Sequence, residues 1–367
     1  MRVMFVVHGM GTYPPGWSAP VVKKLDAAAG TYSAFRGGPP FSARVKLVEI
    51  TYDGVFTRLV DSWRASADEL GAAAKNEGLA LPDLLARLDS ATLPADARNA
   101  FWTTFIDPVL YRGISTIRSE VRARVTEQLV TNLTELGKQE AVQASVLCHG
   151  LGTMVVHDTL AILGSRPLPG GNDTFTSKKF RFENLFSLAN ASRLGPCDLD
   201  PYDSCVRPGS APLSGNGGAS NYLTRMYSFR HRWDPFAIVQ PFDPTGWGSD
   251  YYGGPDQTLS AIRAANVHDV LHYLDHPAVH VPIINRAMGA FPISRQEMLD
   301  RIAQYPPYPP ACADAVTALK GRLEELLHAI QNPRNLDAIA TAGLAFYGAV
   351  RAAEATCADL VQGRLAA

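Results

Sequence analysis

The 367-residue sequence predicts an α/β fold, a doubly wound and mostly parallel sheet with a helical insertion and a C-terminal helical extension. Three observations predict it. A valine-rich run opens the chain and ends in glycines, apolar runs alternate with helical patterns in the first half, and residues 144–163 read as strand, sharp turn and helix. We expect one elaborated domain over residues 1–290, with the helical insertion at 62–140, and the extension over 291–367.

The remaining elements follow in chain order. Strands are predicted at 2–7, 45–52, 144–148, 181–189, before Asp234, and at 259–267. The insertion shows helical patterns at 81–88, 98–112 and 117–137, whose aromatic residues are predicted to pack on the core or to line a substrate mouth: Phe101, Trp102, Phe105 and Tyr111.

Two long loops and a tail complete the organisation. Glycine, proline and serine dominate residues 192–221, which we expect to form a lid, and residues 242–254 could form the opposite wall of a pocket. Beyond the proline-rich segment 305–310, alanine-rich helices are predicted at 311–330 and 336–365. These helices could pack on the core, cap the site or mediate homo-oligomer formation.

The turn at residues 145–153, which read SVLCHGLGT, has the form of a nucleophile elbow. Such an elbow joins a strand to a helix sharply, needs small residues on both sides, and holds one side chain above the sheet edge. Cys148 and Gly152 are the small flanks. The central residue is Gly150, which has no side chain with which to attack a substrate.

These residues resemble the α/β-hydrolase superfamily, whose lipase-like members read small-His-Ser-Leu-Gly at this turn. The resemblance implies a serine-type esterase or lipase that acts by acyl transfer, with Gly150 at the nucleophile position. It also implies that the loop HGMGT at residues 8–12 contributes to the oxyanion hole through Gly9 and Met10, and that Leu151 supplies a second N–H.

A second motif, MYSFRHRWDPFA at residues 226–237, places an aspartate at the end of a predicted strand. It is similar to the Tyr-His-x-x-Asp-Pro-Val-Ala pattern of DDHD-type phospholipases, in which the aspartate is the triad acid. The resemblance therefore gives Asp234 the role of orienting a histidine. The other interpretation is a solvated turn aspartate before proline.

Residues 266–280, NVHDVLHYLDHPAVH, hold four of the nine histidines. A triad histidine belongs in the loop after the last strand, which favours His268, with His272 as the runner-up beside Tyr273. His276 and His280 are four residues apart and could share a helix face, but no complete ligand set accompanies them. We therefore predict no metal and no cofactor.

Glycine at position 150 has three interpretations: a catalytic knockout, a natural variant that lost its nucleophile, or an enzyme whose nucleophile lies elsewhere. Cys148 is the candidate for a displaced nucleophile, yet it falls at the strand end, where a buried cysteine behaves as a small hydrophobe. A non-catalytic binding or scaffolding protein that keeps the pocket is the alternative function.

Composition restricts the partners. Lys and Arg total 34 against 35 Asp and Glu, a formal net charge of -1, and no basic block occurs, which excludes a typical nucleic-acid binder. No apolar run is long enough to span a bilayer, and the N-terminus does not read as a signal peptide. Five cysteines fit a reducing compartment, so we expect a cytoplasmic protein with a small ester or lipid-like substrate. Cys197 and Cys205 flank a loop with three aspartates, which could be closed by a disulfide or could hold a cation.

Overall fold

A computed structural model describes residues 1–58, 107, 111, 115–193, 200–210, 221–232, 234, 237, 240–253, 258–261, 267–305, 310–330, 338, 341–343, 345, 346, 348, 349, 351–353, 355 and 356. The helix predicted at 81–88 and the aromatic residues Phe101, Trp102 and Phe105 lie outside these residues. Tyr111 lies within them and is fully buried, as the core-packing prediction requires.

Six parallel strands form the sheet, and a short seventh strand extends it. They are β1 (Arg2–Val7), β2 (Lys46–Ile50), β3 (Gln143–His149), β4 (Phe182–Leu188), β5 (Leu223–His231), β6 (Tyr252–Gly253) and β7 (Thr258–Leu259). The strand order is β2-β1-β3-β4-β5-β6, and β7 pairs in parallel with the end of β5. The predicted α/β class with a parallel sheet is confirmed.

Helices cover both faces of this sheet. They are α1 (Ala19–Gly30), α2 (Ser115–Gly137), α3 (Leu151–Ser165), α4 (Val270–Asp275), α5 (Pro277–Ala287), α6 (Arg295–Ala303) and α7 (Pro310–Ile330). Helices α2 and α3 pack together on one face, whereas α1, α4 and α5 pack together on the other, with α6 against α5. The sheet is therefore buried on both sides, as parallel sheets require.

Strand β1 shows why the sequence forms this arrangement. Because successive side chains point to opposite faces, Val3, Phe5 and Val7 join the core under α2 and α3. Met4 and Val6 join the core under α1 and α5 instead. A strand buried on both faces must be apolar at every position, which accounts for the continuous valine-rich run.

The strand order reverses between β1 and β3, which are neighbours in the sheet. Connections leave the carboxyl ends of these two strands in opposite directions, and the crevice between them is where open α/β sheets bind ligands. The loop after β1 begins at His8, and the turn after β3 is centred on Gly150. The fold thus places both glycine motifs at this switch point.

One element prediction was wrong. A last strand was predicted at 259–267, but β7 ends at Leu259, and residues 260, 261 and 267 are not in a strand, while 262–266 lie outside the described residues. The register explains the early end, because β7 pairs with Arg230 and His231, the last two residues of β5. A short apolar run alone does not reveal where the neighbouring strand ends.

Residues 208 and 209 of the predicted lid lie away from the carboxyl edge of the sheet. The N–H of Gly209 donates to Leu223 O, and Pro208 forms an isolated bridge with Leu223, so these two residues run beside the amino end of β5. Residues 194–199 and 211–220 lie outside the described residues. Within the part of the chain that the structure describes, no helix is long and apolar enough to cross a membrane.

Candidate active site

The turn after β3 holds Gly150 in an unusual backbone conformation, with φ 53° and ψ −124°. Its N–H donates to the carbonyl oxygen of Leu188 at 3.0 Å, and its own carbonyl accepts the Thr153 hydroxyl at 2.7 Å. Residues with side chains rarely adopt a positive φ, so glycine removes strain of about 1–3 kcal/mol here. The turn therefore keeps the sharp strand-to-helix geometry of an elbow.

A histidine–aspartate pair, with a partly buried His268 and a buried Asp234, faces this turn. Nδ1 of His268 lies 2.8 Å from Oδ2 of Asp234, whose side chain is fully buried. Burial would raise the pKa of the Asp234 carboxyl, but the charge and hydrogen bond of His268 and the Tyr273 hydroxyl lower it below its ordinary value. Asp234 is thus an ionised acceptor that fixes the proton of His268 on Nδ1 and leaves Nε2 as the basic nitrogen.

Nε2 of His268 is directed toward Gly150. A Cβ atom built on Gly150 would lie 3.0 Å from this nitrogen and 3.3 Å from Cε of Met10. A side chain at position 150 would therefore enter the space between the histidine and the methionine thioether. These contacts bring together Gly150, His268, Asp234 and Met10, four of the residues predicted from the sequence.

Two further residues hold the pair in place. The Tyr273 hydroxyl donates to Asp234 Oδ2 at 2.7 Å and accepts the N–H of His231 at 2.9 Å. Nε2 of His149 lies 2.6 Å from the carbonyl oxygen of His268, so that ring donates to the backbone of the histidine. Burial, followed by the nearby His268 ring, lowers the pKa of His149 to about 3, which keeps His149 neutral.

The loop after β1 is built around the ring of His8. Nε2 accepts the N–H of Tyr52 at 3.1 Å, so Nδ1 carries the proton and donates to Gly9 O at 2.8 Å. The ring also stacks between Tyr13 and Tyr52, with centroid distances of 4.2 and 4.1 Å. His8 therefore shapes the loop.

The backbone of the predicted oxyanion region lies close to the elbow. A Cβ on Gly9 would approach Nδ1 of His149 to 2.9 Å, so only glycine fits this contact without a shift. Within the described ranges, the N–H groups of Met10 and Leu151 have no hydrogen-bond acceptor. Two N–H donors beside a turn and a histidine are the groups that could stabilise a developing oxyanion.

The buried carboxyl of Asp107 hydrogen-bonds the backbone of this loop. The N–H of Gly11 donates to Oδ2 of Asp107 at 3.0 Å. Burial raises the pKa of Asp107 to about 8, against a smaller lowering by the Gly11 hydrogen bond. A neutral Asp107 needs no counter-ion at this depth, so it anchors the loop by hydrogen bonding.

The other histidines of the 266–280 segment have structural positions. The ring of His272 lies 5.2 Å from that of His231, and Nδ1 of His276 accepts the N–H of Ala278 at the start of α5. His280 lies 2.7 Å from the hydroxyl of Tyr32 through Nε2. Among the described residues, no group of three or more potential ligands could hold a metal ion.

Among the described residues, the thiols of Cys148 and Cys205 are in environments that disfavour the reactive thiolate, since burial raises the pKa of both. Cys148 is buried at the end of β3 with Sγ 3.5 Å from Phe186 O, and burial raises the pKa of its thiol to about 12. A thiol that stays protonated is a poor nucleophile, which agrees with the interpretation of Cys148 as a core residue. Cys205 is a free cysteine, and Cys197 lies outside the described residues.

No family model and no curated protein matches the chain. The class of protein is therefore described from the fold and from the geometry of the site. The chain is an α/β protein with a parallel sheet, and at the carboxyl edge of that sheet His268, held by buried Asp234, faces the glycine turn at Gly150.

Proposed function

We propose that the chain is an α/β-hydrolase-like protein of the serine-esterase or lipase type, in which Gly150 occupies the nucleophile position. One observation carries this proposal. Nε2 of His268 lies 3.0 Å from the place where the first side-chain atom of residue 150 would stand, while Nδ1 of the same ring is held by buried Asp234. A general base belongs in this place, between an orienting acid and a nucleophile.

With a serine at position 150, the residues would act in a defined order. The hydroxyl proton would pass to Nε2 of His268 as the oxygen attacks an ester carbonyl, and Asp234 would stabilise the resulting imidazolium. The N–H groups of Met10 and Leu151 would hold the oxyanion. The imidazolium would then protonate the departing alcohol, and water activated by His268 would release the acid from the acyl-enzyme.

With glycine at position 150, the chain lacks the hydroxyl oxygen that would form the acyl-enzyme. His268 retains its orientation, but it can only activate water, without the covalent step that divides the reaction into two easier ones. We therefore expect the chain to bind a small ester or lipid-like substrate with little or no turnover. Glycine relieves strain at this turn, so the loss of the hydroxyl leaves the fold intact.

A non-catalytic binding or scaffolding role is the second candidate function. The observation that favours it is Gly150 itself, because a turn without a side chain leaves room for a ligand beside His268 and Met10. Such a protein would use the crevice at the switch point for recognition only. The two functions differ in what the protein does once a serine hydroxyl is supplied.

The test is the hydrolysis of p-nitrophenyl esters, from acetate to laurate, by the chain as given and by its Gly150→Ser variant. We expect the serine variant to show a burst of p-nitrophenol and steady turnover, faster than the parent by on the order of 10³-fold or more. The chain length that gives the highest kcat/KM would identify the substrate class.

Two matched controls make the result specific. Gly150→Ala introduces the Cβ and the same backbone strain without the hydroxyl, so it should remain inactive. Adding His268→Asn to Gly150→Ser should abolish the burst. A Cβ 3.0 Å from His268 requires a shift of a few tenths of an ångström, so circular dichroism must show that each variant is folded. A folded Gly150→Ser variant with no activity on any ester would overturn the hydrolase proposal in favour of the binding role.

A further inference from the structure

A polar row crosses the sheet at its amino edge, opposite the candidate active site. The parallel ladders align Arg2 with Gln143, and Ser145 with Asn184, which in turn aligns with Arg225. Residues that are paired across parallel strands share a face, so this row lies on the side covered by α1 and α5. Met4, which pairs with Ser145, and the next row of Leu147, Phe186 and Tyr227 lie on the same face.

This row borders a cavity of about 290 Å³ beneath the C-terminal end of α5. The residues that matter here are Arg2, Ser145, Glu183, Asn184, Arg225 and Arg286. Ser145 and Asn184 are each only 3 % exposed, so polar side chains occupy what would otherwise be core positions. Asn184 Nδ2 donates to Ser145 Oγ at 3.0 Å, so these two buried side chains are partners of each other and form a polar wall of the cavity.

The charges around the cavity are unbalanced. Three guanidinium groups line it, from Arg2, Arg225 and Arg286, against the single carboxylate of Glu183. Within the described residues, none of the three has a carboxylate oxygen within 4.0 Å. The Nε atom of Arg225 is buried and has no hydrogen-bond partner in the same set of residues.

Two contacts hold the side chain of Arg286 in place at the cavity. Nε of Arg286 donates to the Tyr227 hydroxyl at 2.6 Å, and its guanidinium lies 4.5 Å from the centre of the Phe291 ring. The carbonyl oxygen of Arg286 at the end of α5 accepts from Asn184 Nδ2 at 3.3 Å, so an amide covers this negative end of the helix. With three arginines against one glutamate, the side chains that line the cavity carry a formal net charge of +2.

We propose that this cavity binds a small multivalent anion whose carboxylate or phosphate groups pair with Arg2, Arg225 and Arg286. Guanidinium groups match these oxygen acids with two parallel hydrogen bonds, and such charge-assisted bonds are the strong ones. The volume is at the lower end of ligand sites, about 300–1,000 Å³, which restricts the ligand to a compact molecule. Arg225 Nε would gain the acceptor that it lacks.

The site is independent of the ester chemistry. It lies at the amino ends of β1, β3, β4 and β5, whereas His268 and Gly150 lie at the carboxyl edge. It shares no residue with the candidate active site. The anion is therefore a second ligand, and its binding can be tested independently of ester hydrolysis.

The test is isothermal titration calorimetry of the full chain with inorganic phosphate and with succinate, at constant ionic strength set with chloride. We expect saturable binding of at least one of the two anions at one site per chain. Phosphate alone would identify a phosphate ligand, and succinate alone a dicarboxylate. The absence of saturable heat with both anions would overturn the proposal.

Arginine variants assign the binding to this cavity. Arg225→Gln and, separately, Arg2→Gln should each weaken binding at least tenfold. Arg2 is exposed, so we expect Arg2→Gln to fold, and it tests the site even if Arg225→Gln does not fold. The control is Arg36→Gln, an exposed arginine outside the cavity, which should bind as the parent does. Equal weakening by Arg36→Gln would show non-specific charge attraction and contradict the site.

Discussion

Three glycines make the contact between the two loops at the switch point possible. Gly150 supplies the positive φ of the turn, and Gly9 lets the first loop approach His149. Gly152 is the most restricted, because a Cβ there would lie 2.2 Å from the carbonyl oxygen of His8. The backbone of the β1 loop therefore rests directly on the first turn of α3, which fixes Met10 beside residue 150.

This contact predicts a large effect of a single methyl group. Gly152→Ala should lower the free energy of unfolding by at least about 2 kcal/mol, because overpacking against backbone atoms cannot be relieved by a rotamer change. Urea denaturation followed by circular dichroism measures it. Gly137→Ala is the matched control, since a Cβ at that exposed helical position meets nothing within 4 Å. It should change stability by no more than about 1 kcal/mol. Equal effects of both substitutions would show that the β1 loop does not depend on this contact.

At the scale of elements, the site depends on how α4 is tied to the end of β5. Asp234 follows β5, and His268 precedes α4, so the pair joins two segments that are 34 residues apart. The Tyr273 hydroxyl connects them a second time, through Asp234 and the N–H of His231. Removal of this buried hydroxyl takes one hydrogen-bond donor from Asp234 and the Tyr273 acceptor from the N–H of His231, and such losses are costly in a buried site.

Tyr273→Phe should therefore destabilise the protein by about 1–3 kcal/mol. In the Gly150→Ser background it should also lower kcat more than it raises KM, because Asp234 would orient His268 less well. Urea denaturation and ester kinetics give the two readouts. Tyr251→Phe is the control, since that hydroxyl has no hydrogen bond among the described residues. A Tyr273→Phe variant as stable and active as the control would contradict this role.

The bounds and contacts of these elements were predicted from the sequence only in part. Periodicity predicted β1, β3 and α3 nearly to the residue, because each is a long apolar element with a glycine turn beside it. It did not predict the early end of β7, which depends on where β5 ends, or the contacts of His149 and Tyr273, which depend on pairing across elements. The resemblance implied Asp234 as the acid, and the position after the predicted last strand favoured His268 over His272. In the structure, Nδ1 of His268 lies 2.8 Å from Oδ2 of Asp234.

At the scale of the whole molecule, buried histidines control the response to acid. Burial lowers the pKa of His149 and His231 to about 3 and that of His276 and His280 to about 4. In the unfolded chain their pKa values are near 6.5. As the pH falls below about 6.5, the unfolded state takes up protons that the folded state does not, so stability decreases.

We therefore expect the free energy of unfolding at pH 5 to be lower than at pH 7 by at least about 2 kcal/mol. The raised pKa of Asp107, about 8, opposes this trend, because its folded carboxyl holds a proton that the unfolded chain releases over the same range. One carboxyl offsets only part of the effect of four histidines. Urea denaturation at several pH values measures the slope, and equal or higher stability at pH 5 would contradict the burial of these rings as neutral groups.

The most direct test of the proposed hydrolase site is covalent labelling of the Gly150→Ser variant with a fluorophosphonate probe, read by mass spectrometry of the digested protein. We expect one labelled residue, at position 150, because His268 and Asp234 would activate that hydroxyl. Labelling should disappear when Asp234→Asn is added, and the parent chain should remain unlabelled. A folded Gly150→Ser variant that carries no label at position 150 would contradict the assignment of His268 and Asp234 to a hydrolase site.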